Sequence, residues 1–171
     1  MVNPPAGGPE RRFQRASCRS PASFRLPGQP AQAALITIVS LGGVFVNIAR
    51  PPARGAVLQL DFILDSRRIR ARGRVAWNSR DNPAYRRRPH ARAGFAAEFE
   101  ELAPQDREAV DRYVRHRVRA FRLLAFELQR ADLDPDLVRA IFRQLCPAES
   151  SHLRHIRKIV QQELRHFRLR K

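Results

Sequence analysis

Ala33-Ala34-Leu35-Ile36-Thr37-Ile38-Val39-Ser40-Leu41-Gly42-Gly43-Val44-Phe45-Val46-Asn47-Ile48-Ala49 lies in the longest stretch of the 171-residue chain without a charged side chain. It is rich in β-branched residues and is broken in the middle by two glycines. A membrane helix needs about 20 apolar residues and would be weakened by the glycine pair and by Thr37, Ser40 and Asn47. The pattern instead predicts two buried strands joined by a tight glycine turn. Gly42 or Gly43 can take positive φ there, so backbone amides beside Ser40 can approach a ligand closely. The turn is the first candidate site.

On the C-terminal side the two-residue period continues. Ala56 to Leu64 carries Leu58, Leu60, Phe62 and Leu64 on one face, and Asp65-Ser66 predicts a hairpin turn. In Arg68 to Trp77 the residues Ile69, Ala71, Gly73, Val75 and Trp77 alternate with Arg68, Arg70, Arg72 and Arg74. Four arginines on one sheet face can line an anion groove or form a solvated exterior; the second is the expectation. Asn78 to Arg92, with Pro83, Pro89 and Arg86-Arg87-Arg88, is read as a mobile loop. Gly94 to Phe99 is the last strand, with Phe95, Ala97 and Phe99 inward. On the N-terminal side, Ser17 to Leu26 is a strand containing Pro21, which removes a backbone donor and predicts a sheet edge. Residues 1–10 hold three prolines and two glycines and are expected to be disordered.

After Pro104 the period changes to that of helices. Val114, Val118, Phe121, Ala125 and Leu128 are spaced as a heptad seam, through which a homo-oligomer can form. Asp134-Pro135 caps a second helix, and Leu153, Ile156, Val160, Leu164 and Phe167 stripe a third. The organisation read from the chain is a disordered start at 1–10, a β domain at 11–114 and a helical extension at 115–171.

The net charge of +17 comes from 33 basic and 16 acidic residues, with only Lys158 and Lys171 not arginine. The excess is spread along the chain and no recognition-helix signature appears. Nucleic acid is therefore not the expected partner. Cys18 and Cys146 lack metal-ligand spacing and are read as free thiols; no signal peptide or membrane span is read, so a cytoplasmic protein is expected. His152 and His155 stand one helical turn apart without a completing ligand, so no metal is expected. No nucleophile triad, phosphate-binding glycine loop or paired buried carboxylates are present, so an enzyme is not expected.

Near the N-terminus Arg11 and Arg15 sit four apart, with Arg12 between them. Guanidinium forks suit phosphate oxygens and the O6/N7 edge of guanine. This RxxxR element, the SxxG turn at Ser40 to Gly43, Gly73-Arg74-Val75-Ala76-Trp77, and Gly94 to Phe99 leading into Pro104-Gln105-Asp106 together resemble a PilZ domain over about residues 11–114. The resemblance implies a six-stranded antiparallel β-barrel, followed here by about three C-terminal helices. It also implies a bacterial receptor for the second messenger cyclic di-GMP, a ligand rather than a cofactor, which relays its signal to a protein partner. Position by position it gives Arg11 and Arg15 the ligand-wrapping role and Ser40 and Gly43 that of the (D/N)xSxxG turn, with Arg12 as a third cation. Ile38 departs from the motif at its Asp/Asn position. A lost polar partner to a buried group costs about 1–3 kcal/mol. The alternative is a degenerate PilZ module that binds no nucleotide and acts through protein contacts.

Overall fold

The computed structural model describes residues 12–81 and 93–167. Arg11, the expected disordered start and most of the expected loop at 78–92 lie outside the described residues. Six antiparallel strands, β1 (Arg15–Arg25), β2 (Gln32–Ser40), β3 (Gly43–Asn47), β4 (Val57–Leu64), β5 (Arg67–Asn78) and β6 (Gly94–Leu102), close into a barrel in the order β1-β2-β3-β6-β5-β4. Three helices follow: α1 (Pro104–Glu127), α2 (Pro135–Leu145) and α3 (Leu153–Phe167).

The alternation that predicts the strands also fills the barrel. Leu58, Leu60, Phe62 and Leu64 point inward from β4, meeting Phe24, Ile36 and Phe95. Leu41-Gly42 makes the tight β2–β3 connection, and Asp65 and Ser66 take φ of 44° and 66°, which turns β4 back into β5.

Two expectations are corrected. Pro21 does not make β1 an edge strand of an open sheet: β1 pairs with β2 along most of its length and with β4 over Ala22 to Arg25, closing the barrel, and the β4 pairing stops just short of Pro21. By continuing the β1–β4 register, Pro21 falls opposite Ile63. There the Ser20 hydroxyl donates to the Ile63 carbonyl at 2.6 Å and accepts from the Ile63 amide at 3.1 Å. A side chain thus does what the imide nitrogen cannot. Trp77 does not follow Ile69 and Val75 into the core. A register shift between Val75 and Trp77 turns it outward, where its ring lies 5.5 Å from that of Phe45.

The helices add to the same core. Val110, Val114, Val118, Phe121 and Leu124 of α1 are buried with Val138 and Phe142 of α2 and Ile156, Val160 and Phe167 of α3. The heptad stripe read as a self-association seam is therefore largely occupied from within the chain. α1 has no side-chain cap; Asp106 in its first turn instead reaches back to β5, 3.3 Å from Arg67 and 3.4 Å from the Arg70 amide. α2 is capped by Asp134, which accepts from the amides of Asp136 and Leu137. At its other end the Arg117 guanidinium donates to the Leu145 carbonyl at 2.9 Å, a cation at the negative end of a helix.

Candidate functional site

Residues directly opposite in an antiparallel ladder share a face. Arg15 pairs with Ser40, Ser40 with Gly43, Gly43 with Glu98 and Glu98 with Arg74. Their strand neighbours Ala16, Val39, Val44, Ala97 and Val75 are buried, so Arg15, Ser40, Gly43, Glu98 and Arg74 form one row on the outside of the barrel. The next row is Ser17, Ile38, Phe45, Ala96 and Trp77.

The sequence-derived residues Arg15, Ser40 and Gly43 are thus brought together on adjacent strands. Ser40 is only 8 % exposed and its hydroxyl donates to the Gly43 carbonyl at 3.1 Å, so it braces the corner. Gly43 is required by packing as well: a Cβ there would stand 2.1 Å from the Ala97 carbonyl oxygen. Arg12 is exposed in the segment leading into β1. Phe13, which the sequence reading passed over, lays its ring on the corner; a Cβ on Gly42 would meet its Cδ2 at 2.7 Å. The segment carrying Arg12 therefore crosses directly over the Ser40–Gly43 turn. The signal was a lone aromatic inside a basic run. Ile38, half-buried opposite Phe45, offers no polar atom.

The arginine stripe of β5 behaves as a solvated exterior with its own counter-charges. Arg68 grips Asp61 through both arms, at 2.6 to 2.9 Å, and this bonding holds the Asp61 carboxyl below its usual range. Arg72 meets Glu101 at 2.7 Å and Arg74 meets Glu100 at 2.6 Å. An open groove of about 880 Å³ crosses β1, β4 and β5 beside this stripe, where Arg25, Arg70, Arg72 and Arg107 face Asp61, Glu100 and Glu101.

Behind the corner, the first half of β1 is completed by the helices. The Ser17 amide donates to Glu163 Oε2 of α3 at 3.3 Å, and Tyr113 Oη of α1 donates to the Ser17 carbonyl at 3.2 Å. Glu163 is 4 % exposed. Its signal in the sequence was an acid at a core position of the stripe Ile156, Val160, Phe167. Next to Ser17, burial pushes the Cys18 thiol up to about 12, so it stays protonated and unreactive. Both cysteines are free. Among the described residues no group of three His, Cys, Asp or Glu comes together as a metal site, and no helix is long and apolar enough to cross a membrane.

The family model for the PilZ domain matches residues 9–116, well over half of the chain. The chain belongs to the PilZ domain family. No curated protein matches it. Among solved structures, the PilZ-family chain is similar to the Escherichia coli YcgR protein in complex with cyclic di-GMP, at 15% identity and a TM-score of 0.55, over 70% of this chain and 50% of that one. It is similar to the inhibitor of motility MotI/DgrA of Bacillus subtilis at 19% identity and a TM-score of 0.53, over 67% and 56% of the two chains. The isolated PilZ domain of Escherichia coli YcgR with cyclic di-GMP gives 15% identity and a TM-score of 0.50, over 67% of this chain and 96% of that one. The matched region thus spans about half the length of the two larger proteins. At these identities the likeness establishes the fold: a closed six-stranded PilZ barrel, here followed by three helices.

Proposed function

We propose that this PilZ chain is a receptor for cyclic di-GMP, gripped between the arginines of the N-terminal segment and the Ser40–Gly43 corner. The observation that carries the reading is the crossing of that segment over the corner: Arg15 pairs with Ser40, and Phe13 rests on Gly42. Arg12 and Arg15 bracket that contact, where their forks suit the two phosphates or the guanine edges of the ligand. Arg11 is assigned to the same clamp from the motif. The cyclic di-GMP held in the similar YcgR structures supports the same reading.

The relay to a protein partner is proposed to run through β1. Two residues beyond Arg15, Ser17 is bonded through both backbone groups to α1 and α3. A ligand that pulls on the start of β1 therefore acts on the strand that anchors the helices.

Calorimetry with cyclic di-GMP tests the reading. The wild type is expected to bind in the micromolar range or tighter, and Arg15→Ala to weaken binding about tenfold or more, the scale of a lost charge-assisted hydrogen bond. Absence of heat with the wild type at micromolar protein overturns the receptor reading. The second reading, a PilZ module acting only through protein contacts, is favoured by Ile38 and by the engagement of the Ser40 hydroxyl within its own turn; it predicts that outcome.

A further inference from the structure

We infer that Glu98 of β6 is the residue that reads the base of the bound dinucleotide, accepting from the Watson–Crick edge of guanine; the inference rests on the receptor reading above. Glu98 is exposed and makes no ion pair or side-chain hydrogen bond among the described residues, in a chain where basic residues outnumber acidic ones two to one. Its strand neighbours Glu100 and Glu101 are both held by arginines. Arg74 stands directly opposite Glu98, yet its guanidinium is turned to Glu100 and to the Gly55 carbonyl. The sheet thus neutralises its other carboxylates and leaves this one open.

Its position gives the open carboxylate a use. Glu98 is directly opposite Gly43, which puts no side chain of its own between the carboxylate and the corner. From the strand of Arg15 to the strand of Glu98 there are three strand spacings, about 14 Å in all. A nucleotide whose phosphate is taken by a guanidinium at β1 can lay its base across the gap at Gly43 toward Glu98. In the next row Ile38, Phe45 and Trp77 offer apolar and aromatic surface.

The chemistry selects the base. Guanine presents N1–H and N2–H2 side by side, two donors that match the two oxygens of a carboxylate. Adenine presents a bare N1 lone pair at the same place, which a carboxylate repels. A site that pairs such donors rejects the analogue lacking them far more strongly than a merely apolar pocket does.

The sign of one substitution separates this role from plain electrostatics. A carboxylate that only lies near an anion site weakens every anionic ligand, so removing it tightens binding of cyclic di-GMP and cyclic di-AMP alike. A carboxylate that reads guanine does the reverse for one of them. Calorimetry on the full chain at fixed ionic strength, with each dinucleotide against wild type and Glu98→Ala, makes the test. The wild type is expected to prefer cyclic di-GMP at least tenfold. Glu98→Ala is expected to weaken cyclic di-GMP about tenfold or more and to leave cyclic di-AMP unchanged or tighter. Unchanged or tighter binding of cyclic di-GMP by Glu98→Ala, or an equal loss for both ligands, overturns the base-reading role while the receptor reading stands. If the wild type binds neither dinucleotide, the receptor reading falls and takes this inference with it.

Discussion

The β4–β5 hairpin and the first half of β1 are both antiparallel strand on the same barrel, but they are completed in different ways. β4 and β5 pair over eight consecutive positions from Val57 to Leu64, and their outer face carries its own counter-charges, with Asp61 facing Arg68 and Arg70. The first half of β1 has β2 on one side only, since its pairing with β4 covers just Ala22 to Arg25. What is missing there is supplied by side chains: Ser20 for the ladder at Ile63, Glu163 and Tyr113 for Ser17, and Phe13 over Gly42. A strand finished by its neighbours' backbones depends little on side chains from elsewhere, and in this hairpin Asp106 of α1 at the Arg70 amide is such a contact. One finished by distant side chains ties together the elements that own them, and here those elements are the candidate ligand corner and the helical extension.

The largest break in this contrast is expected from Ser20→Ala. It removes a buried hydroxyl and leaves a donor and an acceptor of the Ile63 backbone without their partner, at a cost of about 1–3 kcal/mol, read as a lowered urea midpoint at unchanged slope. Tyr113→Phe removes one hydrogen bond to the Ser17 carbonyl and is expected to cost about 1 kcal/mol. It also sharpens the contrast: hydrogen exchange should quicken across residues 15–20 and stay as it was across 57–64, and equal quickening in both would remove the distinction. The smallest effect is expected from Asp61→Asn on the outer face of the β4–β5 hairpin. The folded state holds Asp61 below its ordinary value through Arg68, so its contribution is present above that value and is lost as pH falls through the folded one. Wild type and variant should therefore differ slightly in Tm at pH 7 and converge in strong acid, the two curves meeting rather than crossing.

Much of this architecture was legible because period and position agreed. In β4 every second residue is large and apolar, and in β5 an arginine stands between each pair of inward residues, so face and register follow from the sequence alone. The glycine turn was equally plain from two uncharged β-branched runs around Gly42-Gly43. Pro21 misled because the rule about edges assumes that only backbone can complete a ladder, and Ser20 evades it. Trp77 misled because a register shift changes the parity of everything beyond it, and nothing in Val75-Ala76-Trp77 announces one. At the corner, the motif brought out Arg15, Ser40 and Gly43 but not the residues that meet them from far along the chain. Phe13, Glu98 and Glu163 gain their meaning from pairings that only the closed barrel and its helices create. An unpaired glutamate on a strand looks the same in sequence as a paired one two positions away.

The outward turn of Trp77 has a practical consequence. It is the sole tryptophan of the chain, and it sits against Phe45 in the row beside the arginine corner rather than in the hydrophobic interior. Its ultraviolet emission is therefore a titration signal for whatever settles on that face, built into the unmodified protein. It is correspondingly a poor gauge of core melting, which circular dichroism would follow more faithfully.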